Sequence, residues 1–155
     1  MQISYLADVP HMAADLIPGL LEHWRFAFPN DTAEVRAAKF EAHENREVLP
    51  MAWIAHSGEK VFGTAALRVA DLHGREDLGP WLGGVYVLPA HRRQGVATAL
   101  CRVAEDRARV MGIPRLYLFT LDQESLYARM GWETIEATVW QDRPCVIMAK
   151  NLRVG

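Results

Sequence analysis

Between Leu82 and Phe119 the spacing of apolar residues changes period twice, and this constrains the fold more than any other feature of the chain. Leu82 to Val87 reads as a strand, interrupted by the pair Gly83-Gly84. Glycine weakens a strand interior and is expected where a bulge forms or where another group must approach the backbone. Gly95 then begins a long helix, with Val96, Leu100, Val103, Ala104, Ala108 and Met111 on the apolar face and Arg102, Glu105, Asp106 and Arg109 as its polar complement. Gly112-Ile113-Pro114 ends it, and Leu116 to Phe119 is an apolar run suited to a buried strand.

The flanking segments extend the alternation. Ile3 to Leu6 reads as a first strand ended by Asp8-Val9-Pro10; Met12, Leu16, Leu20 and Leu21 recur at helical spacing, with Pro18-Gly19 expected to break or bend that helix. Asp31-Thr32 starts a second helix with a loose apolar face through Asn45. Met51 to Ala55 and Val61 to Val69 form a hairpin around His56-Ser57-Gly58-Glu59-Lys60, and Ala70 to Pro80 is a polar connection. After Phe119 come a short helix, Glu124 to Met130, and two strands, Thr134 to Val139 and Val146 to Lys150. Such an order predicts a mixed sheet covered by helices rather than a bundle or a sandwich.

At 155 residues, half of them apolar, the chain suits one domain over residues 1–155 with a single core. A net charge of -2 provides no basic excess for phosphate neutralisation, so nucleic acid is not an expected partner. The two cysteines, Cys101 and Cys145, stand in no zinc-spaced array, and no metal is expected. There is no apolar run near the roughly 18 residues of a membrane span and no leader pattern, which predicts a soluble cytoplasmic protein without a membrane partner.

The most specific stretch runs from Val85 to Thr98, from a strand through the basic turn His91-Arg92-Arg93-Gln94-Gly95 into the helix. A helix N-terminus leaves amide N–H groups without partners and carries partial positive charge, so this turn suits phosphate oxygens. Gly95 permits close approach and Ala97 keeps the surface small. Neither GxxxxGK[ST] nor GxGxxG is present, which disfavours an ATP or NAD site.

The pattern Val87-x-Pro89-x-x-Arg92-x-x-Gly95-x-Ala97 resembles the acetyl-CoA signature of the GCN5-related N-acetyltransferases (GNAT), and Leu126-Tyr127-Ala128-Arg129-Met130-Gly131-Trp132 is similar to a second segment of that family. The resemblance implies an α/β (α+β) fold: a seven-stranded, mixed, mostly antiparallel sheet with four helices, splayed between its fourth and fifth strands where the cofactor enters. It implies pyrophosphate binding by Arg92, Arg93, Gln94, Gly95, Val96, Ala97 and Thr98, and backbone hydrogen bonds from Val85, Tyr86 and Val87 to the pantetheine arm of acetyl-CoA. Tyr127 matches the general acid that protonates the departing thiolate. Asp122 and Gln123 stand where the family often places an Asn that contacts CoA.

The implied activity is direct acetyl transfer to a primary amine of a small molecule or a peptide N-terminus; the alternative is a CoA-binding or regulatory module without catalysis. Neither cysteine has a neighbouring His that would support an acetyl-cysteine route. A base is another matter. With a pKa near 8 about one α-amine in ten is neutral at pH 7, against about one lysine in 2,500. Many relatives carry a Glu on the fourth strand, yet Trp81 to Val87 contains no acid; Glu22, His23, His56, Asp71, Asp77 and Asp122 are candidates and none is assigned. The acceptor pocket implied by the resemblance includes Trp24, Phe26, Phe28 and Trp140, with Gly83 beside it, and is not acidic as a polycation would require. A homodimer through the C-terminal strands is a family-level expectation.

Overall fold

The computed structural model describes residues 1–152. Its seven strands are β1 (Gln2–Tyr5), β2 (Met51–Ser57), β3 (Lys60–Arg68), β4 (Trp81–Val87), β5 (Arg115–Thr120), β6 (Glu133–Trp140) and β7 (Arg143–Asn151), and its four α-helices are α1 (Ile17–His23), α2 (Ala33–Ala42), α3 (Val96–Val110) and α4 (Glu124–Arg129). The sheet order is β1-β2-β3-β4-β5-β7-β6, antiparallel throughout except between β4 and β5. The expected mixed, mostly antiparallel sheet with four helices is therefore what the chain forms.

β4 and β5 meet at one residue pair only, Trp81 with Tyr117, supported by the Tyr117 amide donating to the Pro80 carbonyl at 3.1 Å. Beyond that point the two strands part. On its other side β4 pairs with β3, and between Thr64↔Tyr86 and Ala66↔Gly83 it carries one extra residue. Gly84 takes φ +59° there, so the expected bulge falls at the glycine pair.

Trp53, Leu67 and Leu82 from the sheet pack with Val96, Leu100, Cys101, Ala104 and Ala108 of α3, as its apolar spacing predicts. Glu105 departs from the expected polar face of α3: it is 1% exposed. Lys150 Nζ donates to Glu105 Oε1 at 2.5 Å and Trp132 Nε1 to Oε2 at 3.3 Å, so the carboxylate enters the core with its partners. The segment before α1 also differs from expectation, since Pro10–Leu16 is a 3-10 helix and Pro18 lies in the first turn of α1. Proline lacks only an N–H that a first turn leaves unpaired, so it starts the helix rather than breaking it. α2 begins where Thr32 Oγ1 accepts from the Val35 amide at 3.2 Å, stops at Ala42 rather than Asn45, and buries no residue fully. No helix among the described residues is long and apolar enough to cross a membrane.

Candidate active site

The parting of β4 and β5 opens one end of a cleft of about 1350 Å³ that continues past the bulge to α1, α2 and the β6–β7 turn. At the first end stands the turn before α3. Arg93 has φ +62° and Gly95 φ +81°, and together they turn the chain so that Val96 opens the helix with no side-chain cap. A Cβ on Gly95 would meet nothing within 4 Å, so the space beside the turn is open rather than a packed corner. The first intrahelical bond of α3 runs from Ala99 N–H to the Gly95 carbonyl, leaving the preceding amides for an anion.

Arg92, Arg93, Gly95, Val96, Ala97 and Thr98 line the cleft, and Gln94 does not: it is exposed, its Nε2 3.5 Å from the Ala90 carbonyl. Arg92 also braces the turn, because Nε donates to the Val87 carbonyl at 2.9 Å and its guanidinium lies 5.7 Å from the Tyr86 ring centroid. The Tyr86 side chain is 5% exposed and packs into the core beneath α1, so only its backbone is suited to a ligand lying along β4. Val85 and Val87 line the gap as well.

Tyr127 of α4 faces the same gap across from α3. Its ring is 7% exposed and packs edge-on to Trp132 at 6.3 Å, and its hydroxyl has no hydrogen-bond partner among the described residues. Burial pushes the phenol well above its ordinary value, with Cys101 and Asp122 adding to the effect, so the hydroxyl keeps its proton at neutral pH. Asp122 and Gln123 line the cleft beside it; the Gln123 amide donates to Thr120 Oγ1 at 3.0 Å, so Thr120 rather than Asp122 shapes the entry to α4.

At the far end, Trp140 is the hub of an aromatic wall, with ring centroids 5.5 Å from Trp24, 6.2 Å from Phe26, 5.9 Å from Phe28 and 5.4 Å from Phe119. Arg143 stacks on Phe26 at 3.7 Å. Gly83 forms the floor, and the Asp71 carboxylate occupies the space where a side chain at Gly83 would stand, 2.5 Å from the position of a Cβ.

The match to the model of the acetyltransferase (GNAT) family covers residues 17–132, three quarters of the chain and all of the cleft from α1 to α4. The chain belongs to this family. Among curated relatives, the uncharacterized N-acetyltransferase YjgM of Escherichia coli K12 is 36% identical over 89 residues, an alignment spanning 54% of this chain and 52% of that one. The chain thus aligns with only about half the length of that relative. Solved GNAT structures share the fold: aminoglycoside 6'-acetyltransferase type Ii at TM-score 0.72 and 22% identity, covering 99% of this chain and 98% of that one. YncA of Salmonella typhimurium, solved with acetyl-CoA, has a TM-score of 0.71 and 17% identity, covering 100% and 95%.

With the GNAT frame in place, the six acid and imidazole groups considered as bases separate by position. His23, Asp71 and Asp122 line the cleft. Glu22 is exposed and paired with Arg25, Asp77 is exposed and paired with Arg75, and His56 is buried away from the cleft between Ser4 Oγ and the Gly58 carbonyl. Burial lowers the pKa of His23, Arg92 lowers it further and Asp122 opposes them, so its imidazole is neutral at pH 7. A group of polar residues in the cleft escaped the sequence reading: the cations Arg36 and Lys39 of α2, His43 at its C-terminus, and Arg68 at the end of β3. Positions 36, 39 and 43 fall on one face of a helix, which is the pattern that could have revealed them.

Proposed function

We propose that this GNAT protein is an acetyl-CoA-dependent N-acetyltransferase that moves the acetyl group directly to a primary amine of a small molecule or a peptide N-terminus. The observation that carries the proposal is the pairing, across one gap, of an uncapped left-handed entry into α3 at Gly95 with a protonated, unpartnered phenol at Tyr127. The first suits a pyrophosphate; the second suits a departing thiolate.

In this reading the amides from Gly95 to Thr98 receive the pyrophosphate of acetyl-CoA, and Arg93 adds charge beside them. Val85 to Val87 offer strand hydrogen bonds to the pantetheine arm in place of the β5 neighbour they lack. The bulge at Gly83-Gly84 gives the thioester room against bare backbone. A neutral acceptor amine attacks the thioester carbonyl, so that a C–N bond forms and the C–S bond breaks. Tyr127 donates a hydrogen bond and then a proton to the departing sulfur, the positively charged nitrogen of the tetrahedral adduct gives up one proton to solvent or to a cleft base, and a proton from solvent restores the phenol. Asp71 and His23 are the groups placed to receive it directly or through water.

Direct transfer fits the cysteines. Cys101 is fully buried on the inner face of α3, where burial pushes its thiol up to about 12, and Cys145 is buried in β7, where burial raises its thiol as well. Neither is a thiolate at neutral pH, as an acetyl-cysteine route needs. The test is CoA release from acetyl-CoA in the presence of a panel of primary amines. Amine-dependent release supports the reading, and CoA binding with no turnover on any amine would favour a non-catalytic module.

A further inference from the structure

The acceptor end of the cleft holds a cationic site that the transfer chemistry does not use, and a role for it in acceptor binding rests on the acetyltransferase reading. Arg68 is fixed from two directions: Nη1 donates to Asp71 Oδ1 at 2.8 Å, and Nε donates to His43 Nε2 at 2.9 Å. His43 Nδ1 donates to the Lys39 carbonyl at 2.7 Å, so the ring is neutral with Nε2 as acceptor, in keeping with the lowering of its pKa by burial and by Arg68. These bonds leave Nη2 of Arg68 without a hydrogen-bond partner among the described residues. It lies over the bulge, 2.7 Å from where a Cβ on Gly84 would stand.

Two more cations stand beside it. Lys39 makes no ion pair among the described residues and sits 5.4 Å from the Phe28 ring centroid. Arg36 is held by Asp31 through Nε at 2.5 Å, and its buried Nη2 has no hydrogen-bond partner among the described residues. Asp31 and Asp71 are the two carboxylates facing these three cations. One positive charge is therefore uncompensated in a partly desolvated cleft, and an anionic group on a ligand would complete it with charge-assisted hydrogen bonds. A polycationic acceptor would meet repulsion there.

We propose that Arg68 and Lys39, backed by Arg36, bind a carboxylate of the acceptor, and that the acceptor is an α-amino acid whose large apolar or aromatic side chain lies against Trp24, Phe28 and Trp140. Arg68 sets the geometry. A carboxylate on its spare Nη2 lies beside the Gly83-Gly84 bulge, so an amine on the adjacent carbon is brought to the thioester, with the Asp71 carboxylate next to it.

The test compares each of phenylalanine, tryptophan, leucine and methionine with its carboxamide, and includes spermidine, as acceptors with acetyl-CoA. The expected result is that at least one free acid exceeds its amide by about tenfold or more in kcat/KM, because the amide leaves the cations unpaired. In Arg68→Gln that preference should collapse to about twofold or less, and Arg68→Lys should restore part of it. Binding of the four N-acetylated acids and their amides to the CoA complex, read by tryptophan fluorescence, repeats the comparison without turnover. Should Arg68→Gln fail to fold, Lys39→Gln on the surface of α2 replaces it. Amides or spermidine accepted as well as every free acid would remove the carboxylate site and leave the transferase intact. No acetyl-CoA binding and no CoA release with any amine would remove the transferase reading and this site with it.

Discussion

The Asp71 carboxylate lies directly over Gly83, with Oδ2 2.5 Å from the position a Cβ there would take. A strand that carries no acid of its own is thus supplied with one from the loop that precedes it. The carboxylate is held in place by Arg68, and the absence of a side chain at position 83 makes room for it.

Gly83→Ala therefore separates stability from function. The obstructing atoms belong to a side chain that can swing away, and no positive φ is involved at this position, so the fold should lose less than about 1 kcal/mol. The turnover number should fall by about tenfold or more, because about 1.4 kcal/mol of lost positioning suffices for that. Steady-state kinetics beside thermal unfolding of the same variant checks both halves. An unaltered turnover number would mean that Asp71 has no part in the reaction.

Tyr127→Phe removes one oxygen and keeps the ring that packs on Trp132. Loss of a general acid is worth about 10² to 10⁴ in rate, so kcat should fall within that range while acetyl-CoA affinity stays within about twofold. Binding by calorimetry and turnover by CoA release decide the point. A Phe variant with full activity would leave the phenol a packing residue.

The Glu105–Lys150 pair makes a prediction about stability alone. Lys150→Met leaves the carboxylate, 1% exposed, with Trp132 Nε1 and a distant Arg109, and should cost about 3 to 5 kcal/mol. Adding Glu105→Met removes the stranded charge, so the double variant should be more stable than Lys150→Met. Urea denaturation of the three proteins measures this directly. A double variant less stable than the single would mean that the pair contributes more than an apolar replacement can.

His23 and His43 both have pKa values lowered, chiefly by burial. The unfolded chain then takes up protons near pH 6.5 that the folded protein still refuses, so the stabilising contribution is complete above about 6.5 and is lost as pH falls toward the folded values. The unfolding midpoint should drop between pH 7 and 5, and His43→Gln should flatten that slope. An unchanged slope in the variant would exclude His43 as a source of it.

Much of the fold was legible because it rests on local patterns. The hairpin of β2 and β3, the bulge at Gly83-Gly84 and the apolar stripe of α3 each follow from spacing within a few residues. The turn at Gly95 was legible for the same reason, since strand, basic turn and helix are contiguous. Glu105 was not, because its partners Trp132 and Lys150 lie 27 and 45 residues away. The cationic site was hidden more thoroughly: Arg36, Lys39 and His43 lie on a helix that buries none of its residues fully, and only the sheet register brings Arg68 and Asp71 against them. Most of the aromatic wall was legible, in that Trp24, Phe26, Phe28 and Trp140 were singled out while Phe119 looked like strand core.

The central claim, that the turn before α3 receives the pyrophosphate of acetyl-CoA, is tested most directly by thermal unfolding with and without acetyl-CoA for the parent, Gly95→Ala and Gly95→Glu. At about 100 times its dissociation constant the ligand should add roughly 2.7 kcal/mol, raising the midpoint by about 5 to 10 °C. Gly95→Ala carries the strain of a side chain at φ +81° and should keep much of the ligand response. Gly95→Glu adds charge and bulk at the turn and should lose it while still unfolding cooperatively. An equal response in all three proteins, or none in the parent at millimolar acetyl-CoA, would contradict the account.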